Sequence, residues 1–187
     1  MLLRYLLALS LLIFSSAVFA GSVDFNMSNH AAQFEAGYSP NGTANMQSGF
    51  TYNDQGSMLV DTALLANGGS DQESASGFAG GAGVKAIAGK IHQAGLSSYV
   101  SCIALGGQLA YTFPAAPSLA LVGDVFASFK ITSYGNTDRF NQFSISLQMG
   151  PPHAKFFIGY REITFDIIGT GGVLFDQGGY TGIMFSF

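Results

Sequence analysis

The sequence predicts an all-β protein, an antiparallel transmembrane β-barrel of ten strands. Three observations predict this class. The 187-residue chain is 48% hydrophobic but only 10% charged, whereas soluble domains average roughly 25% charged residues. Apolar residues alternate with small or polar ones along most of the chain, which is the period of a β-strand. The first residues also have the pattern of an export signal.

Residues 1–20 are predicted to be a cleaved signal peptide, and residues 21–187 the mature outer-membrane β-barrel. Arg4 supplies the positive charge, Tyr5–Phe14 is almost wholly apolar, and Val18–Ala20 has small residues where a signal peptidase cleaves. The apolar stretch is too short to cross a bilayer as a helix. Export combined with a membrane barrel predicts the bacterial cell outer membrane as the location.

The alternation is clearest at 140–149, where Phe143, Ile145 and Leu147 share one face and Ser144 lies on the other. Most such segments reach the nine to eleven residues that a tilted membrane strand needs. Counting from the turn residues predicts ten strands, near 22–28, 31–39, 44–53, 57–66, 76–86, 98–113, 118–130, 139–149, 153–167 and 179–187. The first is the weakest, and eight strands are possible if it is dropped and others are fused.

Turn residues separate these strands, among them Pro40–Gly42, Asn67–Ser70, Pro114–Pro117 and Pro151-Pro152. An even strand count puts both termini on one side, the periplasmic side in barrels of this kind. The short turns at Pro114–Pro117 and Gly150–Pro152 are then periplasmic. The predicted longer, extracellular loops are 87–97, 131–138 and 168–178.

The second face of the strands distinguishes a membrane barrel from a secreted soluble β-sandwich. In a sandwich that face meets water and carries Lys, Glu, Arg and Thr. Here it carries mainly Gly, Ala, Ser and Gln, which is typical of the interior of a narrow barrel. The charged residues predicted to form a cluster in the lumen are Asp24, Glu35, Asp61, Lys85, Asp124 and Arg161.

This charge cluster has two interpretations. Four acids and two bases would favour cations if they lined a small pore. Alternatively, the charges pair to form a plug that stabilises the barrel and passes nothing. Ten strands enclose little more than their own side chains, so the plug is favoured.

The chain ends in an alternating apolar pattern, Ile183, Phe185 and Phe187. A terminal aromatic residue on such a strand resembles the signal that the outer-membrane barrel assembly machinery recognises. Aromatic residues near strand ends also predict an interfacial girdle; they are Tyr38, Tyr52, Tyr111, Phe113 and Tyr160.

Five short segments together resemble the YfaZ family of predicted bacterial outer-membrane proteins. They are Val23–Met27, Phe50–Asp54, Leu105–Pro114, Gly159–Arg161 and Gly178–Phe187. Each is short and often glycine-rich, so their order and spacing carry the resemblance. It implies an outer-membrane barrel and supplies no activity or site residue.

The sequence offers no candidate for catalysis, metal binding or a cofactor. His30, His92 and His153 lie in predicted turns, loops or strand starts, without a second histidine at metal-ligand spacing. The single Cys102 excludes an intrachain disulfide and is predicted to be an inert interior residue. No basic run indicates a nucleic-acid partner.

The predicted function is that of a non-enzymatic outer-membrane barrel with a structural or surface-interaction role. The first alternative is a narrow, weakly cation-preferring channel, and the second is an outer-membrane lipid-modifying enzyme. The predicted partners are outer-membrane lipid and lipopolysaccharide, with the barrel assembly machinery during biogenesis. A ligand at the extracellular loops is a further hypothesis.

Overall fold

The structure is a computed structural model that describes residues 21–39, 43–68, 77–93 and 96–187. The predicted signal peptide at 1–20 lies outside the described residues, as do the predicted turns at 40–42 and 69–70. The strands are β1 (Gly21–Ser28), β2 (Ala31–Tyr38), β3 (Ala44–Asn53), β4 (Met58–Asn67), β5 (Gly77–Gln93), β6 (Leu96–Phe113), β7 (Ala116–Ser128), β8 (Ser133–Gly135), β9 (Thr137–Met149), β10 (Ala154–Ile167) and β11 (Gly171–Ser186).

Ten of these strands form a closed antiparallel barrel, which confirms the predicted fold class and strand number. Neighbours along the chain pair with each other, and β7 pairs directly with β9. The ring closes where β1 pairs with β11, with Ser22 opposite Ser186 and Ser28 opposite Tyr180. We call this closing pair of strands the seam. The three-residue β8 pairs with β6 outside this ring. Closure leaves no unpaired barrel edge, as a strand in lipid requires.

The outer surface of the barrel is apolar. On β9, Phe143, Ile145 and Leu147 are exposed, whereas Ser144 and Ser146 between them are buried. This order is the reverse of a soluble protein and is expected where the outer face meets lipid. Other exposed apolar side chains on the barrel wall include Phe34, Phe50, Val60, Leu64, Leu105, Val125 and Ile158.

The apolar outer surface ends before the strands do on one side of the barrel. Along β10 the outward positions change from Phe156, Ile158 and Tyr160 to Glu162 and Asp166. Tyr160 therefore lies at the border of the apolar surface, where an aromatic girdle belongs. The start of β9, the end of β10 and the start of β11 extend beyond this border of the apolar surface.

Two predicted loops are wrong because strands continue through them. β5 runs to Gln93, opposite Leu96 of β6, so most of the predicted loop 87–97 is a hairpin. β11 begins at Gly171, and only 168–170 connects it to β10 instead of 168–178. Glycines in this region suggest a turn, but backbone pairing with β10 keeps it extended.

The third predicted loop, 131–138, corresponds closely to the connection between β7 and β9. It contains a 3₁₀ turn at Lys130–Thr132, followed by β8. The described residues contain no helix long and apolar enough to cross a bilayer.

The last strand carries its apolar residues Ile183, Phe185 and Phe187 on the outer face, with Phe185 and Phe187 exposed. On the inner face of the same strand, Gly182 lets residues of the two flanking strands, β1 and β10, pack close to the β11 backbone. A Cβ at Gly182 would lie 2.5 Å from the Phe25 carbonyl oxygen and 2.5 Å from Phe157 Cζ.

We expect Gly182→Ala to lower the free energy of unfolding by about 1 to 3 kcal/mol, because overpacking forces backbone or ring shifts at the seam. The matched control is Gly179→Ala on the same strand, where the nearest atom to a Cβ is Gly159 O at 3.8 Å. Urea unfolding of the refolded barrel in phosphatidylcholine vesicles measures both variants. An equal loss of unfolding free energy in Gly182→Ala and Gly179→Ala would contradict close packing at Gly182.

Candidate functional site

The barrel interior is divided between an apolar half and a polar half. We call the end with Gly21 and Phe187 the terminus end, and the end with the β1–β2, β3–β4, β5–β6 and β10–β11 connections the hairpin end. A polar cavity lies toward the terminus end. An apolar plug fills the interior toward the hairpin end, formed by Leu59, Ile87, Ile91, Val100, Cys102, Phe140, Ile163, Phe165, Ile167, Val173 and Phe175.

Three aromatic rings lie at the centre of the plug. The Phe140 and Phe165 ring centroids are 4.9 Å apart, and those of Phe165 and Phe175 are 6.4 Å apart. These tilted and edge-to-face arrangements are favourable for aromatic pairs. Phe140 and Phe165 are almost completely buried, and the free thiol of Cys102 is buried in the same plug. The hairpin half of the lumen is therefore a packed core.

On the terminus side of the plug, three carboxylates lie in one row across neighbouring strands. Asp24 on β1 is opposite Glu35 on β2, Glu35 is opposite Gly49 on β3, and Gly49 is opposite Asp61 on β4. Gly49 leaves room for the acid beside it, since a Cβ there would lie 2.7 Å from Asp61 Oδ2. Like charges in adjacent positions destabilise a sheet unless other groups compensate them.

Lys85 compensates one end of this row and crosses the lumen. Its Nζ lies 3.4 Å from Asp61 Oδ1, donates to Gln142 Oε1 at 3.3 Å, and lies 4.7 Å from the centre of the Phe126 ring. Gln142 in turn donates to Asp124 Oδ1 at 2.9 Å. These contacts connect β4 and β5 with β7 and β9 on the other side of the lumen.

Arg161 makes the second buried charge network. Its Nε and Nη2 donate to Asp176 Oδ2 at 2.9 and 2.7 Å. Its Nη1 donates to Asn26 Oδ1 at 2.9 Å and to Gln33 Oε1. Asp176 also accepts from Ser28 Oγ at 2.7 Å. The network joins β10, β11, β1 and β2, the four strands around the seam.

All the predicted lumen charges point inward. Asp61 lies beside Lys85 in the wall, and the others line the cavity, namely Asp24, Glu35, Lys85, Asp124 and Arg161. Asp176 is not among the predicted residues because 168–178 was expected to be a loop. A register shift in the β10–β11 pairing also turns Phe175 and Asp176 inward together, which breaks the alternation. The apolar run at 173–175 is the signal that indicates a strand there.

The cavity has a volume of about 310 Å³. Toward the terminus end it is bordered by Ser22, Asn45 and Lys155, which the alternation of the sequence did not mark as interior residues. Its wall is rich in side chains that both donate and accept hydrogen bonds. The amides and hydroxyls on the wall include Gln47, Gln108, Gln142, Gln148, Thr112, Ser144 and Ser146.

An exposed ion pair lies on the outside of the hairpin end, far from this cavity. His30 Nδ1 in the β1–β2 turn lies 2.8 Å from Asp54 Oδ2 in the β3–β4 turn. The hydrogen bond to the Asp54 carboxylate and its negative charge raise the pKa of His30 above its usual 6.5. The pair links the β1–β2 turn to the β3–β4 turn at the surface.

A closed ten-strand barrel with an apolar outer surface and a polar, charge-paired interior is a transmembrane β-barrel of the outer-membrane type. A family model described as YfaZ precursor matches residues 3–187, nearly the whole chain. The protein therefore belongs to the YfaZ family, as the sequence motifs indicated.

Comparison with solved structures finds other barrels at low sequence identity. The KdgM porin has a TM-score of 0.46 and 11% identity, over 90% of this chain and 99% of that one. The outer membrane channel DcaP of Acinetobacter baumannii has a TM-score of 0.46 and 11% identity, over 88% of this chain. This chain spans about half of DcaP, 54% of its length. No curated protein sequence matches closely enough to count as a relative.

We expect Asp176→Asn to lower the free energy of unfolding by about 3 to 5 kcal/mol, because it leaves Arg161 buried without its counter-charge. The control is Glu162→Gln on the outer surface of β10, which should change stability by less than about 0.5 kcal/mol. Urea unfolding in phosphatidylcholine vesicles compares the two variants. A loss no larger than that of the control would contradict a structural role for the pair.

We expect Asp54→Asn to lower the pKa of His30, because the neutral amide removes the charge that holds the proton on the ring. Since the pKa of His30 is raised in the folded state, the pair contributes its full stabilisation once the pH is below the ring's ordinary pKa of 6.5 while Asp54 is still ionised, and the contribution is lost as the pH rises through the raised pKa. An NMR titration of the His30 ring protons measures the change. Asp138→Asn is the control, and a His30 pKa unchanged in Asp54→Asn would disprove the pairing.

Proposed function

We propose that this protein is an integral barrel of the bacterial outer membrane that does not conduct ions and that has a structural or surface-interaction role. The observation that carries this proposal is the apolar plug. Its buried rings, Phe140 and Phe165 among them, pack together in the hairpin half of the lumen. Buried polar side chains of that half, such as Asn53 and Asp176, form hydrogen bonds within the barrel. An ion crossing this region would lose its hydration among apolar side chains, and the buried polar groups Asn53 and Asp176 are engaged with other residues of the barrel.

The paired charges support the same role. Arg161 is bound to Asp176, and Lys85 to Asp61, so both buried cations are engaged with acids of the barrel wall. Each network joins strands that are not all neighbours in sequence. Such contacts favour one closed arrangement of the barrel rather than a water-filled lumen.

The proposed orientation places both termini in the periplasm. Ten strands return the chain to the side where it began, and short turns at 114–115 and 150–153 join strands at the terminus end. The apolar outer surface would contact outer-membrane lipid and lipopolysaccharide. Ile183, Phe185 and Phe187 would be recognised by the barrel assembly machinery during insertion.

The second candidate function is a narrow channel that prefers cations. It is favoured by the acids of the cavity wall, Asp24, Glu35 and Asp124, and it requires the plug to move. No observation in the described part of the chain favours the lipid-modifying enzyme, and non-enzymatic function is part of this proposal.

We expect the refolded protein to be silent in a planar bilayer, using only preparations whose gel mobility shifts on boiling, which shows a closed barrel. The double variant Phe140→Ala, Phe165→Ala should produce small conductance steps, because it removes two rings from the plug. Phe143→Ala on the outer face of the same strand is the matched control and should remain silent. Stable steps in the wild-type protein would overturn the proposal in favour of the channel.

A further inference from the structure

The cavity at the terminus end has the properties of a binding pocket. Its volume of about 310 Å³ lies at the lower end of the range for small-molecule sites. The plug closes it on one side, and it opens on the other between Ser22, Asn45 and Lys155. A solute arriving from the terminus end therefore reaches the charged layer but goes no further.

The charges around the cavity are only partly balanced by the protein itself. Lys85 and Arg161 line the cavity, but their ion pairs are with Asp61 and Asp176, which lie behind its surface. Three carboxylates on the cavity wall have no ion pair to a cationic side chain within the described ranges; they are Asp24, Glu35 and Asp124. Enclosed charges are stable only when paired, so this wall favours a cationic occupant.

The three acids differ in their remaining capacity to bind. Asp24 accepts a hydrogen bond from Asn26 at 3.1 Å, and Asp124 accepts from Gln142 and Ser144. Glu35 makes no hydrogen bond with any described residue, although it lies directly opposite Asp24. Its carboxylate is thus free to accept from a ligand.

Gln33 is a second, independent indication of a ligand. It is 8% exposed and lines the cavity. Its Oε1 accepts from both Asn26 and Arg161, and Arg161 has only donors, so the amide oxygen must face the guanidinium. The Gln33 amide nitrogen therefore points into the cavity, without a partner among the described residues. This nitrogen is therefore available to donate to an acceptor oxygen of a ligand.

We propose that this cavity binds a small organic ammonium ion that also carries a hydroxyl group. The ammonium group would be held by Glu35 and Asp124, and the hydroxyl oxygen would accept from the Gln33 amide. A metal ion fits less well, because no group of three His, Cys, Asp or Glu side chains in the described chain is arranged to hold one. The inference does not depend on a closed lumen, since a conducting barrel would keep the same wall.

Lys155 at the cavity mouth provides a control of opposite sign. It lines the cavity and makes no ion pair with a described acid. Its positive charge opposes the entry of another cation. Replacing it by a neutral residue should therefore strengthen binding, whereas loss of a wall carboxylate should weaken it.

Isothermal titration calorimetry of the refolded protein in detergent tests the proposal, with glucosamine as the probe and glucose as its uncharged match. We expect glucosamine to bind at least tenfold more tightly than glucose, and more weakly as salt is added. Glu35→Gln and Asp124→Asn should each weaken glucosamine binding about tenfold, and Lys155→Gln should strengthen it. Glu162→Gln on the outer surface should have no effect.

Several results would overturn the proposal. Equal binding of glucose and glucosamine would show that the wall does not select charge, and binding of neither would show that the cavity holds only water. An affinity for glucosamine that is unchanged in Glu35→Gln would show that Glu35 does not contact the ligand. Glu35→Gln is the decisive variant because Glu35 supports no hydrogen bond of the barrel, and the gel shift on boiling verifies that each variant is folded.

Discussion

A single buried guanidinium, that of Arg161, secures the place where the first and last strands of the barrel meet. The side chain is 2% exposed and contacts Asp176, Asn26 and Gln33, and thereby three neighbouring strands besides its own. Sequence-distant ends must find each other before a barrel can close, and hydrogen bonding along the backbone does not specify the pairing register alone. An unpaired charge in the wrong register would be costly, so the network favours the closed form with this register.

The demand for charge pairing also explains why the lumen is divided. Where Lys85 and Arg161 are neutralised by Asp61 and Asp176, the interior toward the hairpin end is packed with aromatic and aliphatic side chains. Where carboxylates remain unpaired, as at Glu35, the interior is open and polar. The same barrel therefore combines a stabilising core with a concave surface that has its own chemistry. A role in the membrane and a role in binding are compatible because they use different halves.

The sequence predicts which charged residues of the candidate site face inward, but not which of them pair. Alternation assigns Asp24, Glu35 and Asp124 to the inner face because the face of a strand residue depends only on its parity. It does not indicate which charges pair, since Lys85 reaches Gln142 across the lumen from a strand that is not its neighbour. Asp176 is missed because a register irregularity in β11 shifts the parity locally, and no residue type in the sequence marks it.

The sequence by itself determines the class of fold, the apolar outer face and the family, because a strand in a bilayer must alternate and its turns must contain turn-forming residues. It also predicts ten strands, through turns such as the one at Pro151-Pro152, although eight remained open until the structure showed the first strand paired in the ring. Only the tertiary structure decides that β5 and β11 extend through segments predicted to be loops, since pairing with a neighbouring strand overrides local turn preference. The division into plug and cavity is likewise tertiary, because the height of each side chain along the lumen depends on the stagger between strands.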